Sequence, residues 1–274
     1  MKRLRIPDVK NKKQQGEKVT MLTAYDFVLA RLLDEAGIDI LLVGDSLGMV
    51  LLGYETTLPV TLEMMIHHSR AVSRGAQRAL VVADMPFLTY HLSLSEAVQN
   101  AGRLIQEGGV AAVKMEGGTT VVDVTRRLVE VGIPVMGHLG LLPQSIHQLG
   151  GFRPQARGRA AAERLLEDAE ILEEAGAFAV VLESVPAEVA KRVTARLSIP
   201  TIGIGAGPHC DGQVLVSHDA FGLYQGSVPP FVKQYVQLGA QLKKAAQTYI
   251  ADVQAGRFPA QEHCFKRTTE VSSE

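Results

Sequence analysis

Six ionisable residues stand just past the ends of short apolar segments, where side chains of a folded α/β protein could meet and do chemistry. Asp is also a favoured N-cap of helices, so any single member of the set is explained equally well as a cap. Six such positions together are hard to explain by capping or packing, and they favour a catalytic or binding site. The six residues are Asp26, Asp45, Asp84, Glu116, His138 and Glu183.

Asp45 and Asp84 are candidate ligands for a hard divalent cation. Mg²⁺ takes oxygen ligands and is commonly held by only one or two carboxylates, with water or substrate in its other positions. The sequence has no His-x-x-x-His pattern and no closely spaced cysteine pair, which argues against a catalytic zinc ion. These two residue types therefore favour magnesium.

Lys114 interrupts the apolar run 110–113 and lies two residues before Glu116, so both side chains point to one face of a strand. An unpaired buried lysine is costly, which favours an ammonium group that points into a polar opening toward an anion. An ion pair with Glu116 or Asp84 is the alternative, and both interpretations can hold at once.

Glu183 ends the apolar run 179–182. Apolar surroundings disfavour the ionised carboxylate and raise its pKa toward the range that is useful for a general base. We therefore expect Glu183 to accept a proton from a substrate.

These residues need elements to position them, and eight short, largely β-branched segments are predicted to be strands. They lack strict polar alternation, as expected for a parallel sheet that is covered on both faces or closed into a barrel. The predicted strands are 19–23, 39–43, 79–83, 110–115, 133–137, 177–182, 200–205 and 213–216.

Helical patterns separate most of these strands. The clearest is 93–106, where apolar residues share one face, Ser93 and Glu96 form a capping box, and Gly108 ends the helix. The other predicted helices are 26–35, 62–74, 123–131, 160–174, 187–196 and a long C-terminal one, 231–255.

Alternating strands and helices predict an α/β fold, a single-domain (βα)8 TIM-type barrel over 1–274, with a polar N-terminal lead at 1–17 and a C-terminal tail at 257–274. Only Ala206 to Gly212 separate the last two strands, fewer than the dozen or so residues of an ordinary parallel crossover. An open doubly wound sheet therefore stays as the alternative.

Composition excludes several classes of protein. The 274 residues are 46% hydrophobic and 21% charged, which excludes disorder over most of the length. The 28 Lys and Arg against 29 Asp and Glu give a net charge of -1, so nucleic acid is not an expected partner. Without an apolar signal or membrane segment, and with only two cysteines, we expect a soluble cytoplasmic protein with no membrane partner.

At these residues the sequence resembles the ketopantoate hydroxymethyltransferase (3-methyl-2-oxobutanoate hydroxymethyltransferase) family, over nearly the whole chain. Two departures are a longer loop at 150–159 and His209, which stands where an acidic residue is frequent; neither includes a candidate site residue. The motifs are MLTAYD at 21–26, VGDSLG at 43–48, VADMPF at 82–87, VKMEGG at 113–118, GHLGL at 137–141, VLE at 181–183, IGIGAG at 202–207 and CDGQVL at 210–215.

The resemblance implies a βα barrel, one Mg²⁺ ion per subunit and a ring-shaped homo-oligomer, commonly a decamer. It also implies transfer of a one-carbon unit from 5,10-methylenetetrahydrofolate to the 2-oxo acid 3-methyl-2-oxobutanoate, giving 2-dehydropantoate as the first step of pantothenate synthesis. By motif, Glu183 is the proton acceptor. The implied metal ligands are Asp45, Asp84 and Glu116, and the implied substrate contacts are Asp45, Ser46, Asp84, Lys114 and His138.

This chemistry is physically consistent. A 2-oxo acid polarised by the metal loses the proton on its adjacent carbon to Glu183, and Lys114 and Mg²⁺ stabilise the enolate that attacks the folate methylene carbon. Two other classes stay open: a magnesium-dependent lyase or mutase of the phosphoenolpyruvate-mutase type, and a non-catalytic small-molecule binder. Folate dependence excludes the first, and a base beside a metal argues against the second.

Overall fold

A computed structural model describes residues 3–224 and 226–265, and its centre is a closed barrel of eight parallel strands in chain order. The last strand pairs with the first, so the predicted (βα)8 barrel is confirmed and the open doubly wound sheet is wrong. The strands are β1 (Val19–Thr23), β2 (Ile40–Val43), β3 (Leu80–Asp84), β4 (Ala112–Glu116), β5 (Val135–Gly140), β6 (Ala179–Glu183), β7 (Thr201–Ile204) and β8 (Gly212–Leu215).

Most of the strands are buried on both faces, as their continuous apolar runs predict, and β1 and β8 each have one exposed residue. Every residue of β2, β3 and β4 is buried, because side chains fill the barrel interior on one face and helices cover the other. The charged residues Asp84, Lys114 and Glu116 are part of these buried strands, at or next to their carboxyl ends.

The short connection between β7 and β8 closes the barrel without a helix. The two strands share the register pairs Ile202 with Gly212 and Gly203 with Gln213. Gly205 and Gly207 in the connection have φ values of +61° and +78°, which glycine adopts without steric cost. A tight turn therefore takes the place of the helical crossover that normally joins two parallel strands.

The predicted helices lie within a few residues of their expected positions, with one larger difference. The predicted helix 231–255 begins only at Leu238, since the N–H groups of Tyr235, Leu238 and Gly239 donate to carbonyls of residues 220–222. The helices are α1 (Ile6–Gln14), α2 (Phe27–Glu35), α3 (Leu47–Val50), α4 (Leu62–Gly75), α5 (Leu94–Gln106), α6 (Val122–Glu130), α7 (Ile146–Leu149), α8 (Arg159–Glu174), α9 (Ala187–Arg196), α10 (Ser217–Ala220) and α11 (Leu238–Gln254). Of these, α1, α3, α7 and α10 are additional to the predicted helices.

The described residues form two compact units. One comprises 3–217 with 230–232 and contains the barrel, and the other comprises the remaining described residues from 218 onward, including α11. Residues 266–274 of the predicted tail lie outside the described residues. Among the described residues, no helix has both the length and the apolar character needed to cross a membrane.

The predicted polar lead contains α1, which closes the amino-terminal end of the barrel. Val9 is completely buried against the barrel core. Lys12 Nζ lies 3.1 Å from Asp39 Oδ2, and Lys13 Nζ lies 2.9 Å from Asp211 Oδ2. Lys12 and Lys13 thus form ion pairs at this end, and the carboxyl ends of the strands are left for a site.

A buried carboxylate fixes the approach to β3. Asp34 near the end of α2 accepts hydrogen bonds from the backbone N–H groups of Gln77, Arg78 and Ala79, at 3.0, 3.0 and 2.6 Å. The next strand begins one residue later, so this anchor sets where β3 enters the barrel.

Candidate active site

The carboxyl ends of β2 to β6 bring five of the six predicted ionisable residues together. The register places Asp84 beside Lys114, Glu116 beside His138, and Gly140 beside Glu183 on neighbouring strands. Asp45 follows β2, and its backbone N–H donates to Asp84 Oδ2 at 3.1 Å. Parallel strands that end at one level therefore produce the convergence that the sequence predicts.

Asp26 is the exception, and the prediction that it joins the others is wrong. Its side chain is exposed and its Oδ1 accepts a hydrogen bond of 2.8 Å from the backbone N–H of Leu29. It is the N-cap of α2, the alternative explanation that applied to each Asp of the set.

Lys114 occupies the centre of the cluster. Its Nζ lies 2.8 Å from Asp84 Oδ1 and 3.1 Å from His138 Nδ1, and all three side chains are buried. Burial acts to lower the pKa of Lys114, but the carboxylates of Asp84, Glu116 and Asp45 outweigh it and raise that pKa. The lysine is therefore charged, and the ion-pair interpretation holds with Asp84.

Asp45 and Glu116 share one partner, Gln144. Its side-chain Nε2 donates to Asp45 Oδ2 at 2.9 Å, and its backbone N–H donates to Glu116 Oε2 at 3.0 Å. Burial, reinforced by the charge of Asp84, raises the pKa of Asp45 to about 7. Burial and the charge of Asp45 likewise raise the pKa of Glu116 well above its ordinary value.

This donor set fits a hard divalent cation. Three buried carboxylates, those of Asp45, Asp84 and Glu116, face a single ammonium group, and such an excess of buried negative charge favours a bound cation. Within the described part of the chain, no group of three or more His, Cys, Asp or Glu side chains is arranged to hold a metal by itself. Mg²⁺ needs only one or two carboxylates when water and substrate supply the other oxygens.

Glu183 and His138 form the other side of the cluster. His138 Nε2 lies 3.2 Å from Glu183 Oε2. Burial raises the pKa of Glu183 to about 7, and burial together with the Lys114 charge lowers the pKa of His138 well below its ordinary value. Since an ammonium group can only donate, neutral His138 accepts through Nδ1 and carries its proton on Nε2, on the side of Glu183.

The backbone around Glu183 leaves little room for change. Gly140 pairs with Glu183 in the sheet and has a φ of +95°. A Cβ atom on Gly140 would overlap the carbonyl oxygen of Glu183 and would lie 2.7 Å from Val185 Cγ1. A glycine at this position therefore lets β5 approach the end of β6 and fixes the carboxylate's strand.

Ser46, the remaining predicted substrate contact, lies at the start of α3 beside Tyr25. The Tyr25 hydroxyl and Ser46 Oγ are 2.9 Å apart, and Tyr25 is completely buried. A serine hydroxyl can both donate and accept, so this pair can offer a proton to an anionic ligand.

The residue-by-residue reading of strand ends missed three buried polar residues: Tyr25, Tyr90 and Gln144. Tyr90 and Gln144 lie several residues after β3 and β5, beyond the first ionisable residue that follows each predicted strand. The polar Pro-Gln-Ser stretch at 143–145, directly after the motif at 137–141, is the signal that could have found Gln144.

Comparison with known proteins decides the family. A sequence profile described as Ketopantoate hydroxymethyltransferase matches residues 3–261. The chain belongs to this family. Its relatives include the 3-methyl-2-oxobutanoate hydroxymethyltransferases of Syntrophus aciditrophicus, 58% identical with 94% of each chain covered, and of Moorella thermoacetica, 57% identical with 96% of this chain and 98% of the relative covered. The predicted family and its transferase class are confirmed.

Solved structures of other members of this fold show its breadth. A phosphonopyruvate hydrolase, solved with oxalate and Mg²⁺, superposes with a TM-score of 0.62 at 10% identity over 94% of this chain and 92% of that one. A 2,3-dimethylmalate lyase of the phosphoenolpyruvate mutase/isocitrate lyase superfamily gives 0.57 at 16% identity, over 97% and 91%. At such identity the likeness shows a shared fold, and the ketopantoate hydroxymethyltransferase match favours the transferase over a lyase or mutase.

Proposed function

We propose that the chain transfers a hydroxymethyl group from 5,10-methylenetetrahydrofolate to 3-methyl-2-oxobutanoate. With one water molecule consumed, the products are 2-dehydropantoate and tetrahydrofolate, and the reaction is the first step of pantothenate synthesis. The observation that supports it most is a half-buried carboxylate, that of Glu183, on one side of a neutral histidine whose other side contacts a charged lysine, in a member of the ketopantoate hydroxymethyltransferase family.

Glu183 is the base of this proposal. A carboxylate with a pKa of about 7 is half ionised at neutral pH and binds a proton far more strongly than an exposed glutamate. It takes the proton from the substrate carbon next to the keto group. The Lys114 charge acts to lower the pKa of Glu183, but burial outweighs it, so the raised basicity of the carboxylate is kept.

Lys114 stabilises the charge that this proton transfer creates. As the C–H bond breaks, negative charge moves onto the keto oxygen of the substrate, and a preorganised ammonium group stabilises it most strongly in a site without bulk water. Because Asp84 fixes the Lys114 ammonium at 2.8 Å, no reorganisation is needed during the reaction. The enolate carbon then bonds to the methylene carbon as the two bonds from that carbon to the folate nitrogens break. The consumed water supplies the oxygen of the new hydroxyl group, and the protons of the water and the proton held by Glu183 go to the hydroxyl group and the two folate nitrogens.

Asp45, Asp84 and Glu116 would hold Mg²⁺, which supplies Lewis-acid polarisation of the keto oxygen. Ser46, with Tyr25 behind it, binds the substrate carboxylate by a hydrogen bond. These side chains orient the 2-oxo acid so that its C3 proton faces Glu183.

The test is proton NMR of 3-methyl-2-oxobutanoate in D₂O with the purified protein, with Mg²⁺ or chelator, and with or without methylenetetrahydrofolate. We expect the C3 proton signal to disappear only with Mg²⁺, and 2-dehydropantoate to form only when the folate is also present. No exchange and no product under any condition would refute the proposal. Exchange without folate-dependent product would instead favour a lyase or mutase acting on related acids.

We also propose a homo-oligomer, with the decamer that the family resemblance implies, working in the cytoplasm. Light scattering coupled to size-exclusion chromatography measures the subunit number directly. A mass near ten times the 29.5 kDa chain supports the decamer, and a monomer overturns it.

A further inference from the structure

Gln144 connects three strand ends of the candidate site, although it is neither a predicted ligand nor a predicted substrate contact. It lies in a one-turn 3-10 helix, Pro143–Ser145, that follows β5, and it is only 6% exposed. Uncharged amides are seldom buried this completely unless all their polar atoms have partners.

Each polar atom of the Gln144 amide has a partner. Nε2 donates to Asp45 Oδ2 and to the backbone oxygen of Met85, both at 2.9 Å. Oε1 lies 2.7 Å from the Tyr90 hydroxyl. The backbone N–H donates to Glu116 Oε2 at 3.0 Å. One residue therefore holds groups at the carboxyl ends of β2, β3 and β4.

These contacts fix the direction of the hydrogen bonds. A backbone carbonyl such as that of Met85 only accepts, so the nitrogen of the amide must face it and Oε1 must face Tyr90. The Tyr90 hydroxyl then donates to Gln144, and its oxygen accepts from the backbone N–H of Glu116 at 3.2 Å. The amide cannot flip without losing these hydrogen bonds.

We propose that Gln144 is a positioning residue, which holds the Asp45 and Glu116 carboxylates in a fixed mutual orientation and thereby sets the affinity of the site for a divalent cation. The inference rests on the proposed function, because it takes the cation to be bound by these carboxylates. Two carboxylates without such a clamp would turn apart to reduce their repulsion. The side-chain N–H of Gln144 binds Asp45 and its backbone N–H binds Glu116, and neither adds a positive charge that would compete with the cation.

A merely structural role for Gln144 makes a different prediction. If the amide only fills a buried polar position, its loss lowers stability and leaves the affinity of folded protein for a cation unchanged. If it positions Asp45, loss of its donors weakens cation binding in the protein that remains folded. Partners that orient metal ligands typically contribute 10-fold to 100-fold to metal affinity.

The experiment is a titration of the full chain with Mn²⁺, followed by electron paramagnetic resonance of the free ion, without substrate and with Mg²⁺ competition. Gln144→Met keeps the length of the side chain and removes its donors, and we expect its Kd to rise by about 10-fold to 100-fold. Tyr90→Phe removes the hydroxyl that orients the amide and that accepts from the backbone N–H of Glu116, but it keeps the Gln144 donors, so its Kd should rise less, by about 3-fold to 10-fold. Thermal unfolding in chelator measures the stability of each variant separately.

Thr201→Val is the matched control. Thr201 is completely buried at the amino-terminal end of β7, where its hydroxyl contacts Thr194 Oγ1 at 2.7 Å and Asp211 Oδ2 at 3.2 Å. Its loss should lower the unfolding temperature and leave the Kd for Mn²⁺ within about twofold, as expected for a buried polar group outside the site.

Equal Mn²⁺ affinity in wild type, Gln144→Met and Tyr90→Phe overturns the positioning role and leaves the proposed function standing. Absence of Mn²⁺ binding in the wild type overturns the metal of the proposed function and the inference with it, so the two failures are distinguishable. If Gln144→Met does not fold, the Kd of Tyr90→Phe decides.

Discussion

Lowering the pH through 7 should switch off proton abstraction, because only the ionised form of Glu183 accepts a proton. Burial raises the pKa of this carboxyl to about 7, with Asp84 adding to the effect and Lys114 opposing it. For one titrating group, the ionised fraction falls from about 50% at pH 7 to about 1% at pH 5. An exposed glutamate would still be more than about 80% ionised at pH 5.

The assay is the first-order rate of C3 proton exchange of 3-methyl-2-oxobutanoate in D₂O, at saturating Mg²⁺ and without folate. This reaction isolates the Glu183 step from carbon–carbon bond formation. We expect the rate at pH 5 to be about 50-fold below the rate at pH 7 and about 100-fold below its alkaline plateau. The pKa of Lys114 is raised, so no second loss is expected below about pH 10.

Asp45 also has a pKa of about 7, so protonation of a metal ligand is a competing cause of the same fall. Measuring Mn²⁺ affinity across the same pH range separates the two, because protonation of Asp45 weakens metal binding whereas protonation of Glu183 lowers the exchange rate of the saturated protein. A rate at saturating metal that stays within about threefold between pH 7 and pH 5 would refute Glu183 as a base of raised pKa.

Substitutions at three residues, Glu183, Gly140 and Asp34, test the roles that the structure gives these residues in catalysis and stability. Glu183→Gln should lower the exchange rate by about 10²-fold to 10⁴-fold and leave the Kd for the 2-oxo acid within about threefold, measured by calorimetry; lost binding would indicate a structural carboxylate instead. Gly140→Ala should shift the strand that carries Glu183 and lower exchange by about 10²-fold, and normal exchange in the folded variant would show that the overlap is relieved elsewhere. Asp34→Ala leaves three backbone N–H groups before β3 without their acceptor and should cost about 3 kcal/mol in urea unfolding. Asp34→Asn, which keeps one oxygen, should cost less, and equal losses would contradict the hydrogen-bond account.

The barrel could be predicted from the sequence because each strand is an unbroken apolar segment that needs cover on both faces. Parallel strands then place their carboxyl ends at one level, so the convergence of Asp84, Lys114, Glu116 and Glu183 follows from chain order and period alone. The same rule failed for Asp26, because this residue lies three positions after β1 and its side chain caps α2. An aspartate is suited both to a functional site and to a helix N-cap, and the path of the backbone after the strand decides between them.

The conformation of the loops could not be predicted from the sequence. The β7–β8 connection was expected to be too short, because the rule for parallel crossovers assumes a helix, and two glycines with positive φ make a turn instead. Gln144 and Tyr90 were missed because hydrogen bonds between loops depend on how two loops pack, which no local pattern encodes.

The buried charges at the carboxyl ends of the strands indicate that this cluster serves function rather than stability. Breaking or burying unbalanced ion groups costs several kcal/mol, and apolar residues of similar size would make a barrel at least as stable. Yet the strand ends bury the carboxylates of Asp45, Asp84 and Glu116 around one ammonium group, that of Lys114. Packing alone does not account for that arrangement, whereas a bound divalent cation would balance the excess negative charge and could itself bind an anionic 2-oxo acid. Burial and mutual repulsion, which raise the pKa of Asp45 and of Glu116, are relieved when a cation binds, and this relief favours binding.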